Sequence, residues 1–173
     1  MAGSKRTPAY SMALGGVLAA LALCVMWLGG LLGIATYVSP MLCAILLQIV
    51  KNTCGNRLGW AWYGAVAILS LLLVSDREAA WVFVFLGYYP LVKPWLDRRK
   101  LPFLWKGLLF NGSILILYTL LLSVLGLPEL QSEFAGMGRV LLIFLLVIGN
   151  VSFFLLDRVL EKPFFGKLGR YGG

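Results

Sequence analysis

Histidine is absent from this chain, and its absence removes most proton chemistry before any fold is considered. Ser-His-Asp triads, Cys-His pairs, HExxH zinc sites and histidine relays all need an imidazole. Cys24, Cys43 and Cys54 have no CxxC spacing, so neither a metal site nor a disulfide framework is expected. Cys24 and Cys43 lie in apolar runs, where cysteine behaves as a small hydrophobe. No GxGxxG or P-loop sequence appears, so the chain is not expected to hydrolyse nucleotide by itself. No two acids share an apolar run, which leaves no evident base or nucleophile. The chain reads as a non-enzyme, with no cofactor and no metal.

Binding chemistry is better supplied. Tyr37, Trp81 and Tyr118 offer flat faces, and Glu133 and Arg139 offer opposite charges close to apolar runs. Charges in or near a membrane are functional candidates by default. Trp27, Thr36 and Ser39 stand near the same end, and the tryptophans also suit an interfacial belt. In the run 87–90, Gly-Tyr-Tyr-Pro, followed by Lys93-Pro94, two prolines four apart break the helical ladder and free carbonyls. That break is either a kink that shapes the bundle or one wall of a pocket, with the Tyr88 and Tyr89 hydroxyls at its level. Lys93 is expected to snorkel to the inner headgroups. Ser75-Asp76-Arg77-Glu78 has the S-x-x-E form of a capping box, which accounts for Ser75 and Glu78 and leaves Asp76 and Arg77 open to a ligand.

Asn111 and Asn150 lie seven and about six residues from the inner ends of their apolar runs, hence both about 10 Å deep at 1.5 Å per residue. Two amides at one depth on antiparallel neighbours can satisfy each other, so a structural polar pair is expected. Both also match N-x-S sequons, which at that depth cannot be glycosylated.

The elements that must position these groups follow from composition. Of 173 residues, 61% are hydrophobic and 13% charged, and the mean hydropathy is +0.91. A soluble fold would have to expose far more apolar surface than such folds tolerate. Disorder is excluded by the same apolar, aromatic composition. The expected fold is all-α: one compact domain over 1–173, with six transmembrane helices near 10–32, 34–50, 58–74, 80–96, 104–127 and 137–156. A five-span alternative joins the first two as a broken hairpin around residues 29–33. The first apolar run is too long for a signal peptide and lacks a clean cleavage site.

Charge orients the spans. With both termini cytoplasmic, only Arg77 and Arg139 among the 15 basic residues fall outside, as the positive-inside rule asks. The location expected is a bacterial plasma membrane, multi-pass, N-in and C-in. The net charge of +8 is then accounted for by orientation and anionic headgroups, so no nucleic acid partner is expected. The cluster at 97–100 fits the same explanation or a dedicated partner.

Ala9, Ala13, Gly16, Ala20 and Cys24 make a small-residue stripe along the first span, with Gly15 and Ala19 beside it. Such a stripe lets another helix approach closely, either inside this bundle or on a separate subunit. Six short spans, both termini inside and a small-xxx-small first helix after Lys5-Arg6 together resemble the substrate-binding S subunits of energy-coupling factor vitamin transporters. The resemblance implies that Ala9, Ala13, Gly16 and Ala20 dock a membrane coupling subunit energised by separate ATPases. It also implies an outward cavity for a small, vitamin-like solute, roofed by loop 29–40 and walled by the last three spans. The binding residues expected there are Tyr37, Trp81, Tyr88, Tyr118, Glu133 and Arg139. The alternative is a non-catalytic membrane scaffold, comparable to the small integral membrane protein of the bacterial rod-shape complex.

Overall fold

A computed structural model describes residues 8–32, 37–123 and 139–161. All seven elements among them are helices: α1 (Pro8–Leu32), α2 (Val38–Cys54), α3 (Asn56–Leu73), α4 (Arg77–Leu86), α5 (Tyr89–Leu96), α6 (Pro102–Ser123) and α7 (Arg139–Glu161). No strand occurs among the described residues. Pro8 and Pro102 open α1 and α6, where a missing N–H costs nothing.

Helices α2 and α3 are joined by a single residue. Gly55, at φ +94° and ψ 165°, closes α2 by donating its N–H to the Lys51 carbonyl at 3.0 Å, and it immediately precedes α3. That backbone region is open essentially to glycine alone, so the hairpin depends on this residue type. The second span begins at Val38 rather than near residue 34, and residues 33–36 lie outside the described ones.

The segment expected as a fourth span is two helices, and prolines are the reason. Pro90 follows Tyr89 at the start of α5, and Pro94 sits inside it. Pro94 has no N–H to give the Pro90 carbonyl; the Lys51 ammonium donates to that carbonyl instead. Tyr63 from α3 donates its hydroxyl to the Val84 carbonyl at the same break. Gly87 is required here by packing, since a Cβ would lie 2.5 Å from the Phe83 carbonyl oxygen and 2.6 Å from its ring. Residues 87–90 thus form a kink, and Gly87 at the break also lines a cavity.

The cap of α4 differs from the sequence expectation. Asp76, not Ser75, is the N-cap, and its carboxylate accepts from the Ala79 N–H at 3.0 Å. Glu78 is released from a capping box and turns to other partners.

Helix α2 is central, touching α1, α3, α4, α5 and α7. Met26 of α1, Cys43 and Leu47 of α2, Trp62 and Val66 of α3 and Phe83 of α4 form one core. Tyr89, Phe110, Phe153 and Leu160 form a second, tying α5, α6 and α7 together. The outer face is apolar as well: Met12, Leu72, Phe103 and Leu115 are each about seven-tenths exposed. Two windows, Ala9–Leu31 and Pro102–Leu120, are long and apolar enough to cross a membrane by length and composition.

Two ends of the bundle are distinct. At the near end, Cys54 at the close of α2 sets its Sγ 3.7 Å from the Ser11 carbonyl of α1. At the far end, Gly30 of α1 packs against Asp76 ahead of α4.

Candidate functional site

The far end gathers oxygen. Tyr37, just ahead of α2, donates its hydroxyl to Glu78 Oε1 at 2.8 Å. Tyr118, late in α6, donates to the same oxygen at 2.6 Å, and the two hydroxyl oxygens lie in contact, each with its single proton already turned to the carboxylate. Residues from three elements thus meet at one carboxylate. The local reason is the Asp76 cap, which starts α4 one residue late and puts Glu78 on the face toward α6.

Below this cluster lies a cavity of about 530 Å³. Its wall is built from Pro40, Met41 and Ala44 of α2, Val82 and Leu86 of α4, and longer stretches of α6 and α7. Tyr37 and Tyr118 stand at one end, and Phe153 and Leu156 at the other. Polar lining is sparse, comprising the two tyrosines, Asn111 and Ser152 beside an otherwise apolar surface. Leu115 and Leu146 line it while more than half exposed, so the cavity opens sideways between α6 and α7. Volume and composition both fall in the range of small-molecule sites.

Asn111 and Asn150 meet along this seam. Each amide donates to the other, at 2.9 and 3.1 Å, and each also donates to the carbonyl four residues back. The remaining sequence candidates divide. Trp81 is half-buried with its ring 6.3 Å from that of Phe85, and it does not line the cavity. Tyr88 turns its ring toward Tyr63 at 6.0 Å and is likewise outside the lining. Glu133 and Thr36 lie outside the described residues. Arg139 opens α7, and its side chain lies outside the described ones. Trp27 is about half exposed, and Ser39 is buried in the first turn of α2.

The stripe on α1 faces outward. Ala9, Ala13, Gly16, Ala20 and Cys24 are exposed, and a Cβ added at Gly16 would meet nothing within 4 Å. Gly15 is the inward member, its carbonyl accepting from the Trp62 indole at 2.9 Å.

The near end holds a buried ionic network that sequence reasoning missed. Asp157 of α7 gives one carboxylate oxygen to Lys93 of α5 and the other to Lys106 of α6, the latter at 2.8 Å. Tyr89 donates its hydroxyl to Asp157 as well. Glu161 lies 3.1 Å from Lys93, and Asp97 lies 2.6 Å from Lys106. Lys93 therefore does not snorkel; it is 7% exposed, because an acid from α7 is there to receive it. The available signal was Asp157 and Glu161 at i, i+4 facing Lys93 and Asp97 at i, i+4.

Among the described residues no three His, Cys, Asp or Glu side chains converge to hold a metal. Cys43 is buried and donates to the Ala22 carbonyl at 3.4 Å, so it is spent on packing. Compared with models of known protein families, with curated proteins and with solved structures, the chain matches none.

Proposed function

We propose that this chain is a polytopic, non-catalytic membrane subunit that captures a small solute from the outer side, for uptake driven by a separate coupling subunit and its ATPases. The observation that carries the reading is the cavity of about 530 Å³ between α2, α4, α6 and α7, ended by Tyr37 and Tyr118 over Glu78. A scaffold has no need of a drug-sized recess between its helices.

Several features support the membrane placement. The exposed face is leucine, methionine and phenylalanine where a soluble bundle presents charge. Lys51, Arg57, Arg98, Arg99, Lys100 and Arg158 sit at the near end, beside the N-terminus of α1, whereas Arg77 and Arg139 sit at the far end. The positive-inside rule makes the near end cytoplasmic and the far end external. The cavity's tyrosine end then faces out and the ionic network faces in.

With no nucleotide-binding sequence, the chain needs an energised partner, and the outward stripe on α1 offers a surface for one. That stripe would serve a scaffold equally, so the cavity separates the two readings. The test is mass spectrometry of small molecules extracted from the protein purified in mild detergent. A solute retained in near-equimolar amount supports capture. An extract holding only bulk lipid and detergent, with cell-wall synthesis proteins co-purifying, supports the scaffold.

A further inference from the structure

The chemistry of the cavity narrows what enters it, and this inference rests on the capture reading above. Among the described side chains, the charge adjoining the cavity's outer end is negative. Glu78 does not itself line the cavity but stands directly behind Tyr37 and Tyr118, both of which donate to its Oε1. Three oxygens therefore converge on one point, with a carboxylate at their centre. Everything inward of that point is apolar apart from Asn111 and Ser152, and the Asn111 amide is engaged with Asn150. From Tyr118 to Asn111 is seven residues along α6, about 10 Å of apolar wall.

We propose that the cavity takes an amphiphilic amine, with its ammonium head at the Glu78–Tyr37–Tyr118 cluster and its apolar body between α6 and α7. An anionic head would meet a carboxylate of like charge, which repels it. A neutral head would bring no charge to that carboxylate. An ammonium gains charge-assisted hydrogen bonds and the faces of two tyrosine rings. The sideways opening at Leu115 and Leu146 gives the apolar body room to lie toward the bilayer. The ligand is thus recognised by head charge and by an unbranched or flat apolar body, not by a polar ring system.

The test uses decylamine, decanol and decanoate as probes of matched chain length. The protein is held in nanodiscs of zwitterionic phosphatidylcholine, so that the lipid surface does not itself sort the probes by charge. A diazirine-bearing decylamine labels the protein, and labelled peptides of α6 and α7 are mapped with each unlabelled probe as competitor. Decylamine should compete at least about tenfold better than decanol and better still than decanoate, the worth of one charge-assisted contact. Glu78→Gln should reduce decylamine to the level of decanol. Should that variant not insert, Tyr118→Phe serves, with an expected loss of about threefold. Equal competition by all three probes would overturn head-group recognition while leaving the cavity as a binding site. Stronger competition by decanoate would overturn it too, and would point to Arg139. Labelling confined to the outer lipid face, with none in the cavity wall, would remove both this inference and the capture reading.

Discussion

At the scale of single residues, Asp157 holds more of the molecule together than any other charge. It is buried, it divides its two oxygens between Lys93 and Lys106, and it accepts from Tyr89. Asp157→Ala leaves Lys93 and Lys106 buried with only the more exposed Glu161 and Asp97 as counter-charges, a loss of about 3 kcal/mol, at the low end of the cost of breaking a buried pair. Replacing Asp157, Lys93 and Lys106 together by apolar residues should cost far less. Reversible unfolding in mixed micelles measures both, and equal losses would contradict the pairing. The amide pair makes a smaller, local contribution. Asn111→Leu or Asn150→Leu should each cost about 0.6–2 kcal/mol, and the double variant no more than the larger single. Strict additivity in that cycle would mean the amides act separately. Their meeting was legible in sequence because depth is a matter of counting residues from a helix end. Asp157 was not, because it sits one residue past the last apolar run. Glu78 was hidden by a local pattern that explained it sufficiently; its partners are 41 and 40 residues away.

At the scale of elements, the sequence marked where helices break better than where they begin. Pro90 and Pro94 announced the interruption, because a proline's missing N–H acts locally. The single-residue hinge at Gly55 was equally local, yet a lone glycine between apolar runs has many structural meanings. Which face of α1 turns outward was not legible at all, since Gly15 and Gly16 are neighbours of equal size. Packing across the bundle fixes it, with Ala22 and Met26 in the core and the Trp62 indole bonding to the Gly15 carbonyl. Gly16→Leu and Ala13→Trp project into open space and should leave insertion and stability within about 0.5 kcal/mol. Both should abolish co-purification of a coupling subunit. Retained complex would move the docking surface elsewhere, and loss of folding would mean that α1 turns this face inward.

At the scale of the whole molecule, composition alone led to an all-helical bundle, and the described residues are helical throughout their elements. Cavities are different. They arise where α6 and α7 fail to pack closely, and no periodicity in one helix reports the gap beside it. Orientation is tested by cysteine accessibility in intact cells. A cysteine at Ser75, beside α4, should react with an impermeant maleimide, as should one at Ser132, outside the described residues; native Cys54 should react only after permeabilisation. The opposite pattern would invert the assignment of near and far ends.

The central claim is that the space between α2, α4, α6 and α7 holds a solute. Gly149 lines that space, and a Cβ there would make ordinary contact with the Phe110 ring at 3.5 Å, so Gly149→Leu starts its side chain into the space beside that ring. Native mass spectrometry of the intact protein released from nanodiscs compares wild type with this variant. Capture predicts one small adduct on the wild type and its loss from an equally helical, fully inserted Gly149→Leu protein. A wild type that flies bare, or an adduct that survives the filled cavity unchanged, would contradict it.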